Sequence, residues 1–332
     1  MSVDAAAERV AEAWRRRHGE TLTVHAAEAL SAGAASTSIA LDVEAGGEQR
    51  QLVLQLAGAG AAEEFPGALD KATQARVQAL AAERGVPTPA VLLTLDAGDG
   101  QGAGFVTARV DGETLGGRIV HGSAFAQARQ HLAAQCAGAL ARVHALDPGA
   151  FDFLPRLDAG AQLAELARLH RPFGEALPAF EAAIAWLERE TPEPQEPRLV
   201  HGDFRTGNFL VDADGLSAVL DWELAHLGDP AEDIGWLCMR SWRFGRDDLP
   251  AGGFAARDDF LARYAALGGA RVEPERVRYW ELLAALKWGV VCQSFGWQYV
   301  RGHTMALEPA MIGRRVAETE LHIIDLLEGR GD

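Results

Sequence analysis

The feature that most limits what this chain can fold into is the polar string His201-Gly202-Asp203-Phe204-Arg205-Thr206-Gly207-Asn208. Two short apolar runs follow it, Asn208-Phe209-Leu210-Val211 and Leu216 to Asp221, on either side of Asp212-Ala213-Asp214-Gly215. Turn-forming residues between two apolar runs make a β-hairpin. The string therefore predicts a loop, then a hairpin, with a second acidic residue, Asp221, at the hairpin's far end. Asp and Asn are favoured in turns for their own sake, and an isolated H-G-D or D-x-x-x-x-N carries little information. Here the elements occur together, and together they point to chemistry.

The surroundings sharpen this reading. Residues from about Asp4 to Arg17 carry Ala, Val and Trp at helical spacing before Gly19, which predicts an amphipathic opening helix. Short β-prone segments follow at Leu22 to Leu30, Thr37 to Val43 and Gln51 to Leu56, then a helix from about Ala68 to Arg84 stopped by Gly85-Val86-Pro87. Strands around Val91 to Leu95 and Phe105 to Val110 complete a sheet. After Asp111-Gly112 the pattern turns helical, with stretches at Ala124 to Leu146 and Pro178 to Arg189, and helices from Asp229 to Leu327 broken at Pro250 and Arg301-Gly302. The reading is α+β, with a small β-rich lobe at 1–111 and a larger helical lobe at 112–332 that holds the hairpin. With 332 residues, 48% of them hydrophobic, the chain has enough apolar material for both cores.

The string keeps the His, Asp and Asn offsets of a kinase catalytic loop, H-R-D-L-x-x-x-N, with Gly202 in place of Arg. In that loop the Asp accepts a proton from the acceptor hydroxyl, the Asn holds Mg²⁺, and a second Asp further along also binds the metal. Asp203 is thus the candidate base, and Asn208 and Asp221 are the candidate ligands. Mg²⁺ takes one or two carboxylates plus phosphate oxygens, so this pair forms a partial shell that ATP would complete.

The stretch His201 to Asn208, then Val219-Leu220-Asp221-Trp222-Glu223, then His226-Leu227-Gly228-Asp229-Pro230-Ala231-Glu232-Asp233, resembles the aminoglycoside-phosphotransferase-like family. Within it the chain is similar to a bacterial subgroup related to the kinase-like domains found beside acyl-CoA dehydrogenases. The resemblance is specific between Val200 and Gly245 and weaker from Gly33 to Arg315. It implies a two-lobed, protein-kinase-like fold with ATP between a β-rich N-lobe and a helical C-lobe. It also implies that Asp233 braces the catalytic loop through backbone hydrogen bonds and that His201 orients the loop. Glu223 and His226, directly after the metal Asp, are candidate substrate contacts.

On the nucleotide side the resemblance assigns Ser31, Gly33 and Ser36 to a phosphate-covering turn, and Thr107, Ala108 and Val110 to the segment joining the lobes, where backbone groups would meet adenine. The third strand departs from the pattern. It should carry a Lys or Arg that pairs with a Glu on the next helix. By alternation Val53 and Gln55 face the nucleotide, so Gln55 stands where the cation belongs, and Gln74 stands where the Glu belongs. The two amides are expected to hydrogen-bond each other. A unit pair at 4 Å and an effective dielectric of 20 is worth roughly 4 kcal/mol, about a thousandfold in rate. Lys71, one turn before Gln74, is a weak candidate to substitute as the phosphate cation, because lysines at helix starts are usually exposed and solvated, and Arg76 is a weaker one.

The net charge of −16 repels polyanions, and no basic stripe offsets it, which argues against nucleic acid and anionic membranes as partners. Cys136, Cys238 and Cys292 are isolated in apolar helical patterns and read as buried thiols, and no run approaches a membrane span. A cytoplasmic location is expected. Tyr279, Trp280, Trp288, Trp297 and Tyr299 after Pro274 read as core. The expected function is transfer of phosphate from ATP, with Mg²⁺, to a hydroxyl of a small molecule, a hydroxyacid or acyl compound by subgroup resemblance. The alternative is a nucleotide-binding pseudokinase whose catalysis suffers from Gln55 and Gln74. A metal-dependent hydrolase built on His201 and Asp203 would need a second His-rich cluster that the sequence lacks.

Overall fold

A computed structural model describes residues 2–32, 36–57, 67–96 and 102–330. The first helix, α1 (Val3–His18), starts at Ser2, whose side chain accepts the Ala5 amide. It ends at Gly19, whose left-handed φ of 72° lets its N–H return to the Arg15 carbonyl. Strands β1 (Leu22–Ala32), β2 (Ser36–Ala45) and β3 (Glu48–Ala57) follow, then α2 (Lys71–Glu83), β4 (Val91–Leu95) and β5 (Gly104–Ala108). They form one antiparallel sheet in the order β1-β2-β3-β5-β4. The β2–β3 connection is the two-residue turn Gly46-Gly47, where φ is 59° and 82°, values that favour glycine at both positions.

Alternation decides which face of the sheet is core. Leu52, Leu54 and Leu56 of β3 are buried beneath α1 with Ile39, Leu41, Val43, Val106 and the α1 side chains Val10 and Trp14. Burial of each large apolar side chain contributes about 1.5–3 kcal/mol, so this cluster fixes the sheet's register. The opposite face carries Val53 and Gln55, both half-buried, paired across strands with Thr107 and Phe105. The helix α2 starts at Lys71 rather than at Ala68, because Asp70 caps it by accepting the Thr73 amide at 2.9 Å.

The helical part contains α3 (Gly116–His121), α4 (Ala126–His144), α5 (Ala159–His170) and α6 (Pro178–Arg189). Four short strands come next: β6 (Arg198–Val200), β7 (Phe209–Val211), β8 (Leu216–Val219) and β9 (His226–Gly228). The remainder is α7 (Ala231–Cys238), α8 (Arg257–Ala266), α9 (Pro274–Val300), α10 (Leu307–Gly313) and α11 (Val316–Leu327). β7 pairs with β8 as the predicted hairpin, and β6 pairs with β9. The sequence reading passed over α5, whose second residue is Gly160, although Asp158 caps its start. It also places helix on both sides of a break at Pro250, whereas over 239–256 Phe244, Gly245, Gly252 and Gly253 take positive φ and the chain forms no α-helix.

The core of this part is made by α5, α6, α7, α9 and α11, with Phe180, Trp280, Leu283 and Ile323 at its centre. Tyr279 and Trp280 belong to it and Trp288 packs against it. The tip of the β7–β8 hairpin is held by α4. Gln135 donates to the Asp214 carbonyl at 3.0 Å and accepts the Leu216 amide at 2.8 Å. Gly215 between them has no room for a side chain, since a Cβ would lie 1.9 Å from Gln135 Oε1.

By contact the chain divides into two units that do not follow the sequence order. The first is Met1–Gly112 with Phe209–Asp212 and Ser217–Ala225; the second is Glu113–Asn208, Ala213–Leu216 and His226–Asp332. The inserted strip joins the first unit through hydrogen bonds from the Val219 amide to the Pro87 carbonyl (2.7 Å), from Trp222 Nε1 to Thr88 Oγ1 (3.1 Å) and from the Leu69 amide to the Glu223 carbonyl (2.7 Å). Cys136, Cys238 and Cys292 are buried and unbridged, and burial raises the pKa of all three thiols. Among the described residues no helix is long and apolar enough to cross a membrane.

Candidate active site

The loop 201–208 lies in the second unit and takes its shape from a buried carboxylate. Asp233, in the first turn of α7, accepts the His201 amide on Oδ2 and the Gly202 amide on Oδ1, both at 2.8 Å. Oδ2 also meets His144 Nε2 at 3.0 Å, and His144 Nδ1 lies 2.7 Å from the Tyr264 hydroxyl. Burial, the largest single influence, pushes the Asp233 carboxyl up. The hydrogen bond and charge of His144 and the hydrogen bond from the His201 amide outweigh it and hold the group below its ordinary value. Gly202 has a φ of 81°, so its place in the string has a backbone reason. The His201 ring turns back on the loop, its Nδ1 accepting the Asp203 amide at 3.2 Å, which requires that nitrogen to be unprotonated.

Asp203 is held through both carboxylate oxygens. Oδ1 accepts from Trp236 Nε1 at 2.6 Å and from Arg205 Nε at 2.9 Å; Oδ2 accepts from Asn208 Nδ2 at 2.5 Å. The same Asn208 nitrogen also reaches the Asp203 carbonyl at 3.1 Å. Arg205 Cζ lies over Trp242, 4.3 Å from the ring centroid, and the Trp242 and Trp236 ring centroids are 5.7 Å apart. Thr206 anchors the far side of the loop by donating to the Gly252 carbonyl at 2.8 Å. The result is a carboxylate, 7% exposed, with a fixed orientation and one guanidinium beside it.

Arg205, Trp236 and Trp242 escaped the sequence reading. Two signals were available: Arg205 is the only cation in the string, and Trp236 lies three residues after Asp233, on the same side of a helix.

Asp221 belongs to the first unit and has a φ of 66°, a left-handed conformation shared, among the described non-glycine residues, only with Phe244. Such a backbone costs about 1–3 kcal/mol and persists only where its surroundings impose it, and Asp is one of the side chains that tolerates it. Here the Val219, Trp222 and Glu223 anchors impose it from both sides. Glu223 is half-buried. His226 is buried in β9, its Nε2 3.1 Å from Glu232 Oε2 in the first turn of α7.

On the sheet of the first unit, Gln55 is flanked across strands by Ser38 and Phe105, and Val53 by Thr107, which is buried. Ala108 ends β5, its amide bonding to the Ala90 carbonyl at 2.9 Å, and Val110 follows two residues beyond the strand. Ser31 lies near the end of β1 and Ser36 opens β2, while Gly33 lies outside the described residues. The two glutamines do not behave as expected. Gln74 accepts from Lys71 Nζ at 2.9 Å and donates to the Leu69 carbonyl at 2.6 Å. Lys71 is not solvated: it is 5% exposed.

Comparison with known proteins adds three findings. A family model described as the phosphotransferase enzyme family matches residues 26–274. Acyl-CoA dehydrogenase family member 10 of Mus musculus is 35% identical over 112 residues, which cover 30% of this chain and 10% of that protein. The matches span about a tenth to a fifth of the length of the curated relatives.

Among solved structures, a candidate aminoglycoside phosphotransferase from Ralstonia eutropha superposes with a TM-score of 0.74 at 20% identity, over 97% of this chain and 98% of that one. A thermostable mutant of aminoglycoside phosphotransferase APH(4)-Ia, in ternary complex with ADP and hygromycin B, gives 0.62 at 18% identity over 96% and 98%. At such identities the likeness speaks for the fold: an antiparallel sheet lobe and a helical lobe of the kinase-like type.

Proposed function

The chain belongs to the phosphotransferase enzyme family, and on that premise we propose that it moves the γ-phosphoryl group of ATP, with Mg²⁺, to a hydroxyl of a small molecule, with Asp203 as the base. The observation that carries this reading is the fixed carboxylate of Asp203. Oδ1 is taken by Trp236 and Arg205, and Oδ2 is taken once by Asn208, which leaves one Oδ2 lone pair for an incoming hydroxyl. A hydroxyl bound there passes its proton to Oδ2 as its oxygen bonds to the γ-phosphorus and the bond to the ADP oxygen breaks. The carboxylate is oriented before substrate arrives, so little reorganisation is needed at the moment of transfer.

The side chains present fit a magnesium nucleotide. Mg²⁺ takes oxygen donors. Asn208 has its amide nitrogen committed to Asp203, so the atom it brings to a cation is Oδ1, and Asp221 brings a carboxylate on a strained backbone. The bound ion would neutralise triphosphate charge. Val53 and Gln55, with Ser31, Gly33, Ser36, Thr107, Ala108 and Val110, would make the nucleotide side.

A second reading, a nucleotide-binding protein with impaired catalysis, is favoured by one observation. Neither Gln55 nor Gln74 carries the charge that a kinase places at those positions.

The test is nucleotide binding followed by turnover. Mg-ATP should raise the melting temperature, and ADP release should require both an alcohol acceptor and Asp203. An Asp203→Asn variant that turns over at the wild-type rate would refute the base assignment. ATP binding with no alcohol-dependent ADP release, across a panel of hydroxylated metabolites, would favour the second reading.

A further inference from the structure

Lys71 stands at the first position of α2, where lysine side chains ordinarily reach into water. Instead it is buried, and its Nζ donates to Gln74 Oε1 at 2.9 Å. Among the described residues no carboxylate lies within ion-pair distance of that Nζ. An ammonium taken out of water without an anion is costly, and a neutral amide compensates only part of that.

The surroundings narrow the anion. The residue before the Asp70 cap, Leu69, donates its amide to the Glu223 carbonyl at 2.7 Å, which ties the start of α2 to the chain two residues beyond Asp221. The helix packs against β3, β4 and β5, the first of which carries Gln55. A kinase places a Lys on that strand and a Glu on this helix, a pair with no net charge. Here the helix carries both members, Lys71 and Gln74, and because the second is an amide the pair keeps a net charge of +1.

We propose that Lys71 is the phosphate-binding cation of the first unit, supplying from the first turn of α2 the charge that Gln55 lacks on β3. Gln74 is its positioning partner: it accepts from Nζ on Oε1 and is held by the Leu69 carbonyl on Nε2. An amide is the right partner for this task, because it orients the ammonium without neutralising it. The ligand is the polyphosphate of a nucleotide, so the inference rests on the nucleotide reading above.

The experiment compares ATP with adenosine, which has no phosphates, by calorimetric titration of the full chain, with melting of the ligand-free protein as a fold control. Lys71→Met should weaken Mg-ATP binding tenfold or more, leave adenosine binding within twofold, and leave the ligand-free melting temperature equal or higher. Lys71→Arg should retain most of the ATP affinity. Gln74→Glu keeps the lysine but gives it a carboxylate, and should weaken ATP binding several-fold while stabilising the ligand-free protein. It also serves as the second variant if Lys71→Met folds poorly.

ATP affinity unchanged in both Lys71→Met and Gln74→Glu overturns the proposal and leaves the nucleotide reading standing. Equal losses of ATP and adenosine affinity also overturn it, since that is the mark of a structural lysine. Absence of binding of either ligand to the wild-type chain overturns both readings.

Discussion

Asn208 grips Asp203 twice with one nitrogen, at the backbone carbonyl (3.1 Å) and at carboxylate Oδ2 (2.5 Å). The residue proposed to bind the metal is thereby also the residue that aims the proposed base. Asn208→Ala should lower turnover at least a hundredfold and destabilise the fold by about 1–3 kcal/mol, since a buried acceptor loses its donor. Asn208→Asp should be as inactive, because it sets a second carboxylate against Oδ2. ADP release and urea unfolding read the two effects separately.

Asp233 holds three donors at once, two loop amides and His144. Asp233→Asn keeps the size but turns an NH₂ group against at least one of them. The expected loss is about 3–5 kcal/mol, the range for removing one member of a buried charged network. It should appear as a lower urea midpoint with an unchanged slope.

Acid should unfold the protein through a few buried carboxylates. Burial would raise the Glu281 carboxyl, but the hydrogen bond from His322 and the charges of Arg257, His322 and Arg243 hold it below its ordinary value of 4.5. Asp233 is likewise held below 3.8. A carboxylate whose pKa is depressed by folding contributes stability that is present above its unfolded value and is lost as pH falls through the folded one. Unfolding free energy should therefore decline as pH drops below those two ordinary values. Glu281→Gln should make the decline shallower, and an unchanged slope would show that Glu281 does not contribute to it.

Gln55→Lys with Gln74→Glu rebuilds the pair that kinases carry on the third strand and the next helix. With Lys71 already supplying charge, kcat/KM should rise less than about threefold, far below the roughly thousandfold that a full pair of ~4 kcal/mol represents. A rise of a hundredfold or more would show that the wild-type chain works without any such cation.

How much of this was legible in the sequence follows from where each feature gets its information. The loop and hairpin were readable because Asp203, Asn208 and Asp221 stand at fixed offsets within one local stretch, with turn residues between the runs. The three-residue strands β6 and β9 were not, since three residues carry no period to detect. Lys71 was misjudged because local sequence says only that it opens a helix. Its burial depends on what packs around it in three dimensions. Trp236 and Asp203 are 33 positions apart and meet only once α7 is docked against the loop.

The first unit closes with a strip that lies far along the chain. Val219, Trp222 and Glu223 bond to Pro87, Thr88 and Leu69, so nothing shorter than residues 1–225 contains all of that unit. On the ribosome, residues 113–225 must be translated after the five-stranded sheet is complete before the unit that contains that sheet acquires its last segment. At about 5–20 residues per second this leaves the nascent first unit without its last segment for many seconds, a long time to need a chaperone.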